Sequence, residues 1–406
     1  MARRVSMMRT GAILLGGLLA LWIAIGVTIN LTSAAYLPKL GEAVWPVGVT
    51  AKVTKARQLI VNVPDVSKSD IAASRIALRE AALREPNNTQ VLGALAALDD
   101  YIGDKHRARV LFSLSEAVSR RNSLTEMWLI EDSVARGDIR GAIRHYDRAM
   151  RVSVDLRPTL LPVLAAAASN RDINQILSQV LAQRPLWWTD YIQFLGRAGA
   201  DPQVMAAALG ATRPDLRQYE ERALAEGVLR RMIALKDERA AIVAANKLEG
   251  LGGITRTLRG GSFDVQDGVL PFAWWLRDEA DIRAYRDTVP RGGMGLHVTT
   301  TGDTSGGAAQ QLVGLAAGGY SLSGIAGGVS SDPANRPGIT VNCLNGTTIG
   351  RFELPPSPHK ESQFAFKFEV PRDCITQWIN VVTAPVGDTD IWIDDVAIRG
   401  MRVPGS

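Results

Sequence analysis

The chain has 406 residues, of which 46% are hydrophobic and 21% charged, a composition typical of folded proteins that argues against intrinsic disorder. At roughly 100 to 200 residues per domain, this length predicts more than one domain. The net charge of +5 originates before Thr255, because acidic residues outnumber basic ones beyond that point. Dense Lys/Arg blocks are missing from the sequence, so we expect no nucleic-acid partner.

Residues 1–36 are predicted to anchor the chain in a membrane. The stretch Gly11–Ile29 has no charged residue and, as a helix, is long enough to cross the ~30 Å hydrocarbon core. Three arginines precede it, so the positive-inside rule predicts a short cytoplasmic tip, a single pass through the inner membrane and a periplasmic remainder. A cleaved signal peptide is the alternative, because Ser33 and Ala35 satisfy a small-x-small cleavage rule. Residues 37–69 are expected to form a linker.

Residues 70–250 are predicted to form short helices that repeat. Apolar residues recur at helical spacing, and the pairs Gly103-Asp104 and Gly137-Asp138 lie 34 positions apart. Small and aromatic residues fall at matching positions in the second unit: Ala142, Tyr146 and Ala149. This pattern resembles the tetratricopeptide repeat, which implies a curved α-helical solenoid that binds a protein partner.

Four residues of this region have side chains that carry chemistry or large contact area. His106 and His145 lie among arginines on predicted helices, and we expect both on the surface. Trp187 and Trp188 are predicted to be core residues, with an exposed anchor for a protein partner as the alternative.

Residues 255–402 are predicted to form an antiparallel β-sandwich, because short alternating segments separated by turn residues replace the helical spacing. In FAFKFEV, Phe364, Phe366 and Phe368 are expected to face the core. The predicted strands are GLHVTT, AAQQLVGL, GGYSLSGIAGG, PGITVNC, TIGRFEL, SQFAFKFEV, QWINVVTA and DIWIDDVAI.

The order of GGSFDVQDGVLPFAWWL, GLHV, QQLVGLAAGGYSLSG and IWIDDVAI resembles that of jelly-roll carbohydrate-binding modules. The resemblance implies a structural calcium ion between the opening segment and the last strand, with Asp264 and either Asp394 or Asp395 as oxygen ligands. The alternative is that the adjacent aspartates face solvent and a turn.

Sugar binding requires exposed aromatic faces and nearby polar groups. The aromatic residues of this region include Trp274, Trp275, Tyr285, Tyr320, Trp378 and Trp392. We expect Trp275 and Tyr285, in the loop-like stretch before GLHV, to bind carbohydrate, although modules of this family also bind other ligands or only join domains.

Cys343 and Cys374 are predicted to form a disulfide if the domain lies in an oxidising compartment, with two buried thiols as the alternative. No HExxH or GxSxG motif occurs, and we expect no catalytic activity. The sequence thus predicts a membrane-anchored periplasmic protein that combines a repeat scaffold with a glycan-binding sandwich, in polysaccharide biosynthesis, assembly or export. An assembly scaffold without sugar binding is the second interpretation, and a glycan-modifying enzyme the third.

Overall fold

The computed structural model describes residues 20–28, 38–45, 48–61, 67–249, 258–265, 268–302, 304–384, 388 and 390–401. The chain divides into two compact units, residues 1–160 and 161–406. Helices precede a two-sheet antiparallel sandwich, so the predicted order of α and β regions is confirmed.

The first helices cover the segments expected to be anchor and linker. Of Gly11–Ile29, residues 20–28 are described and helical, and the rest lies outside the described residues. Within the described ranges, no helix combines the length and apolar character that a membrane crossing requires. The expected linker 37–69 contains two helices, α1 (Pro38–Val44) and α2 (Val49–Val61). Val53 and Ala56 are buried, so α2 packs in a hydrophobic cluster instead of connecting domains loosely.

The remaining helices follow in close succession. They are α3 (Lys68–Arg84), α4 (Thr89–Tyr101), α5 (Lys105–Val118), α6 (Ser123–Ala135), α7 (Ile139–Val152), α8 (Arg157–Ala167), α9 (Arg171–Leu181), α10 (Trp188–Ala198), α11 (Pro202–Thr212), α12 (Tyr219–Ala234) and α13 (Glu238–Glu249). The division between the two units falls within α8.

The helix pairs α4–α5 and α6–α7 begin and end at equivalent positions. Asn88 and Asn122 cap α4 and α6 by accepting hydrogen bonds from backbone N–H groups of the first turn. Asp104 caps α5 in the way that Asp138 caps α7. Each of these equivalent pairs is 34 positions apart, so the interval seen in the sequence corresponds to a repeated helical hairpin.

Ion pairs to buried aspartates join the two hairpins to the helices that precede them. Arg75 of α3 donates from Nε to Asp99 Oδ1 at 2.7 Å, and Asp99 has no exposed surface. Arg109 of α5 makes the corresponding pair with Asp132, with Nη2 at 2.6 Å from Oδ1. The pKa of Asp132 is lowered, chiefly by the hydrogen bond from Arg109. Each hairpin is therefore joined to the preceding helix by an ion pair as well as by apolar packing.

The strands of the second unit form two five-stranded antiparallel sheets. They are β1 (Trp275–Leu276), β2 (Ile282–Thr288), β3 (Met294–Thr300), β4 (Gly307–Val313), β5 (Gly318–Gly327), β6 (Gly338–Cys343), β7 (Thr348–Glu353), β8 (Ser362–Val370), β9 (Gln377–Val382) and β10 (Asp390–Gly400). Sheet A has the order β1-β4-β9-β6-β7, and sheet B the order β2-β3-β10-β5-β8. The eight predicted strands are all present.

β1 and β2 are additional strands, where the sequence predicted a loop-like stretch. In β2 the buried Ile282 and Ala284 alternate with Arg283 and Tyr285 on the outer side. Because the outer residues are charged or aromatic and the strand has few apolar residues, its alternation is weak in the sequence.

The core of the sandwich lies between the two sheets. Phe364 and Phe368 are buried, Phe366 is half-buried, and the residues between them are exposed, which confirms the predicted alternation. Cys343 and Cys374 form a disulfide and are both buried, which confirms the predicted bond.

Candidate functional site

A row of polar and aromatic side chains crosses the outer face of sheet A. Trp275 of β1 pairs with Gln310 of β4, Gln310 with Asn380 of β9, Asn380 with Thr340 of β6, and Thr340 with Arg351 of β7. All five side chains are half-buried or exposed, whereas their neighbours Ile379, Val381, Ile339 and Val341 are buried in the core. At ~4.8 Å between strands, the row extends for roughly 19 Å.

Trp378 and Asn342 form part of the adjacent row, since they are paired residues of β9 and β6. Alternation along β9 places Trp378 on the same outer face as Asn380. The sheet A face, defined here as Trp275, Gln310, Thr340, Asn342, Arg351, Trp378 and Asn380, therefore contains two indole rings and a set of amide and hydroxyl groups.

Hydrogen bonds organise the polar centre of the sheet A face. Asn380 Nδ2 donates to Thr340 Oγ1 at 3.2 Å, and Asn342 Nδ2 approaches the same oxygen at 3.4 Å. Asn342 Oδ1 is buried, and no group of the described chain donates a hydrogen bond to it. A buried acceptor without a donor is costly, so the hydrogen bonds of this polar centre are incomplete within the described chain.

Helix α12 and the Leu270-Pro271 segment form the walls of a cavity over one end of this face. The cavity has a volume of about 610 Å³, within the range of small-molecule sites. Its lining consists of Arg230, Ile233, Ala234, Lys236, Leu270, Pro271, Trp275, Gln310, Leu344 and Trp378. Both tryptophans of the sheet A face thus line one cleft, and Trp275 is 38% exposed.

Two carboxylates hold the helices against the sandwich. Glu226 of α12 accepts a hydrogen bond from the Leu270 backbone N–H at 3.1 Å, and Glu238 of α13 accepts one from the Thr376 hydroxyl. Burial raises the pKa of Glu226, against smaller opposing effects from the Leu270 N–H and nearby arginines. These contacts position the wall of the cleft.

A close helix crossing also positions α12. A Cβ atom at Gly196 of α10 would lie 3.1 Å from the carbonyl carbon of Gly227, so a larger side chain there would push the two helices apart. The cleft therefore depends on residues that touch no ligand.

The two predicted sugar-binding residues lie on different sheets. Trp275 lies on the sheet A face, whereas Tyr285 lies on the outer side of sheet B, stacked on His297 with ring centroids 5.6 Å apart. Arg283 covers the Tyr285 ring at 5.9 Å. The structure therefore does not bring Tyr285 to Trp275, and a sugar contact at Tyr285 stays a prediction.

Trp378 is not among the predicted sugar-binding residues, although the sequence contains a signal for it. In QWINVV the polar and aromatic Trp378 and Asn380 alternate with the core residues Ile379 and Val381. An indole and an amide on the solvent side of one strand are the groups that sugar binding requires. The contribution of α12 has no comparable signal, because it depends on tertiary contacts.

Two of the three predicted calcium ligands, Asp394 and Asp395, lie near a guanidinium group. Arg291 Nη1 is 2.7 Å from Asp395 Oδ2 and 3.6 Å from Asp394 Oδ2. Asp264 Oδ1 accepts the Met294 N–H at 3.1 Å. Burial raises the pKa of Asp394, and the negative charges of Asp395 and Asp264 raise it further.

Arg291 supplies positive charge at the place where the resemblance implied calcium. Calcium prefers six to eight oxygens, and the carboxylates of Asp394 and Asp395 already face this guanidinium. Calcium binding at Asp264, Asp394 and Asp395 stays a prediction, with the ion and Arg291 in competition for the same carboxylates.

A second cluster of ionisable groups lies in the first unit and joins α5, α6 and α7. His145 Nδ1 is 2.8 Å from Glu126 Oε2 and 3.8 Å from Glu116 Oε1, and Arg148 pairs with Glu116. The prediction that His145 is a surface residue is wrong, since it is 4% exposed, whereas His106 is exposed as expected. Its burial follows from its carboxylate partner on α6, which spacing alone does not reveal.

This cluster is able to hold a cation. One ligand atom from each of Glu116, Glu126 and His145 lies within 4.8 Å of the others. Two carboxylates against the single guanidinium of Arg148 leave one net negative charge on these three side chains, which favours a cation.

The paired tryptophans of the helical region have separate environments. Trp187 is fully buried with its ring 6.1 Å from that of Tyr191, which confirms its assignment to the core. Trp188 is half-buried and lies under the guanidinium of Arg184 at 4.8 Å.

No protein-family model matches the chain, and neither does any curated protein sequence. The solved structures similar to the sandwich include one described as "CBM4 structure and function", at 20% identity and a TM-score of 0.28, covering 36% of this chain and 99% of that one. Another is the CBM22-1 xylan-binding domain of Paenibacillus barcinonensis Xyn10C, at 14% identity and a TM-score of 0.25, covering 32% and 86%. A third is TmCBM61 in complex with β-1,4-galactotriose, at 16% identity and a TM-score of 0.27, covering 36% and 97%. With TM-scores below 0.5, these similarities carry no argument about the ligand of this chain.

Proposed function

We propose that the sandwich binds a carbohydrate chain along the sheet A face without modifying it. The observation that carries this proposal is the cleft itself, in which Trp275 and Trp378 line one cavity beside the unpartnered acceptor Asn342 Oδ1. The cleft is open to solvent at Trp275, so a polymer can lie across the strands instead of entering by one end.

The chemistry of the sheet A face matches that of a sugar chain. A pyranose ring has an apolar C–H side, which packs against an indole face, and hydroxyl groups at its edge, which require donors and acceptors. Gln310 and Asn380 supply amide groups between the two ends of the row, Asn342 supplies one from the adjacent row, and Thr340 supplies a hydroxyl. Stacking would therefore provide affinity, and the amides would select the orientation of the hydroxyls.

The cellular setting belongs to the same proposal. Gly11–Ile29 and the arginines before it support a single inner-membrane pass with the sandwich in the periplasm. The buried Cys343–Cys374 disulfide supports an oxidising compartment. We therefore propose a role in polysaccharide biosynthesis, assembly or export, in which the helical repeats recruit a protein partner.

An assembly scaffold without sugar binding is the second candidate function. The observation in its favour is an exposed apolar stripe on α5, formed by Val110, Leu114 and Val118 at successive helical turns. Such a stripe is suited to a partner helix. The scaffold interpretation predicts that no oligosaccharide binds, so a glycan measurement separates the two functions.

A glycan array with the full-length protein tests the proposal. We expect binding of at least one oligosaccharide class by the wild type, and a loss of at least about 30-fold in affinity in Trp378→Ala and Trp275→Ala, as for buried aromatic anchors at other interfaces. Tyr285→Ala is the control, because Tyr285 lies on sheet B. Binding that survives both tryptophan substitutions would refute the site.

A further inference from the structure

The charged residues that line the cleft are positive. Arg230 and Lys236 line the cavity from the α12 side, and no Asp or Glu is among its lining residues. Both cationic side chains are exposed to solvent. A ligand in the cleft would therefore meet positive charge along one wall, in addition to the indole rings of Trp275 and Trp378.

Two carboxylates near these cations are engaged with the sandwich, while Asp237, next to Lys236, accepts the Ala240 N–H at 3.0 Å at the start of α13. Glu226 lies one helical turn before Arg230, but its Oε1 accepts the Leu270 N–H. Glu238 lies two positions after Lys236 and accepts the Thr376 hydroxyl. Because both carboxylates already accept hydrogen bonds from the sandwich, they compete poorly with a ligand carboxylate for Arg230 and Lys236.

The other end of the cross-strand row also carries a cation. Arg351 of the edge strand β7 is exposed and pairs with Thr340, so it closes the row that Trp275 opens. Glu353 is on the same edge strand but belongs to the next row, paired with Gly338. Positive charge therefore borders the sheet A face at both ends, roughly 19 Å apart.

We propose that the cleft selects acidic polysaccharides, with carboxylate groups on the sugar rings bound by Arg230, Lys236 and Arg351. This inference rests on the proposed carbohydrate binding and names its ligand class. Stacking on Trp275 and Trp378 would hold the rings, and the cations would distinguish a uronate from a neutral sugar of the same shape.

Each cation is expected to contribute modestly. Exposed ion pairs are screened by water and salt, so we expect about a two- to fivefold loss of affinity for each substitution Arg230→Gln, Lys236→Gln or Arg351→Gln. The loss should appear only with acidic ligands and shrink at high ionic strength. Lys367→Gln is the matched control, because Lys367 is an exposed cation on β8 of sheet B.

The test is a set of calorimetric titrations of the full-length protein with matched probes. The probes are hexasaccharides of galacturonate and mannuronate, their methyl esters and cellohexaose, since an ester keeps the sugar chain and removes its charge. We expect an acid to bind better than its own ester, the triple Gln variant to lose this difference, and Lys367→Gln to keep it.

The outcomes distinguish the two proposals. If neutral probes bind and neither acid binds better than its ester, the selection of acidic chains is refuted and carbohydrate binding stands. If no probe binds, carbohydrate binding itself is contradicted. If the triple Gln variant still binds an acid better than its ester, the selective charges lie elsewhere, and the assignment to Arg230, Lys236 and Arg351 is wrong.

Discussion

The Cys343–Cys374 disulfide should stabilise the sandwich by several kcal/mol. The two cysteines are 31 positions apart, and both are buried at the ends of neighbouring segments of sheet A. In the chain-entropy relation a closed loop of this size corresponds to about 3.7 kcal/mol at 25 °C. The Cys343→Ala/Cys374→Ala double variant should therefore unfold at a urea concentration roughly 1 to 2 M lower than the wild type.

Urea titration followed by tryptophan fluorescence measures this difference. Of the nine tryptophans, four lie in the sandwich and Trp378 lies on the strand that follows Cys374, so part of the signal comes from the affected region. A reductant should lower the wild-type midpoint to that of the double variant and leave the variant itself unchanged. Equal midpoints for the wild type with and without reductant would refute the stabilising role, because breaking a bond that restricts the unfolded chain must lower the midpoint.

Three further substitutions test the packing and charges of both units. His145→Ala leaves the buried Glu126 Oε2 without its hydrogen-bond partner and should cost about 1 to 3 kcal/mol in the free energy of unfolding. Gly196→Leu should cost about 1 to 3 kcal/mol, because Gly227 and Val228 of α12 leave no room for its side chain. Because the folded pKa of Asp394 is raised, chiefly by burial, its folded state keeps the proton to higher pH than the unfolded chain. Stability should thus fall as pH rises from the unfolded pKa to the folded pKa, and Asp394→Asn should remove that slope.

Each substitution has a control in the same chain, measured by denaturant unfolding. His106→Ala changes an exposed histidine and should shift stability by less than about 0.5 kcal/mol. Gly210→Ala fills open space on α11 and should be neutral or stabilising. Parallel pH profiles for Asp394→Asn and the wild type, or equal costs for His145→Ala and His106→Ala, would contradict the electrostatic reasoning.

Local patterns predicted much of the fold. Alternation in FAFKFEV and QWINVV identifies strands because each has one face in the core, and the recurrence of Gly-Asp at 103 and 137 identifies equivalent helix starts because Asp104 and Asp138 cap them. The two cysteines could be paired because only one intrachain disulfide is available to them.

The features that escaped prediction depend on partners distant in sequence. His145 is buried against Glu126, which lies on a different helix. Asp394 and Asp395 face Arg291, which lies more than 100 positions earlier in the chain. The cleft combines Trp378 with α12, whose approach to the sandwich no local pattern encodes. Tyr285 has the chemistry of a sugar platform, but its strand belongs to the opposite sheet.

The most direct test of the account is isothermal titration of the full-length protein and Trp378→Ala with an oligosaccharide that the wild type binds. We expect at least about a 30-fold loss of affinity in Trp378→Ala and wild-type affinity in Tyr285→Ala. Full affinity in Trp378→Ala, or a loss in Tyr285→Ala alone, would contradict a carbohydrate site on the sheet A face.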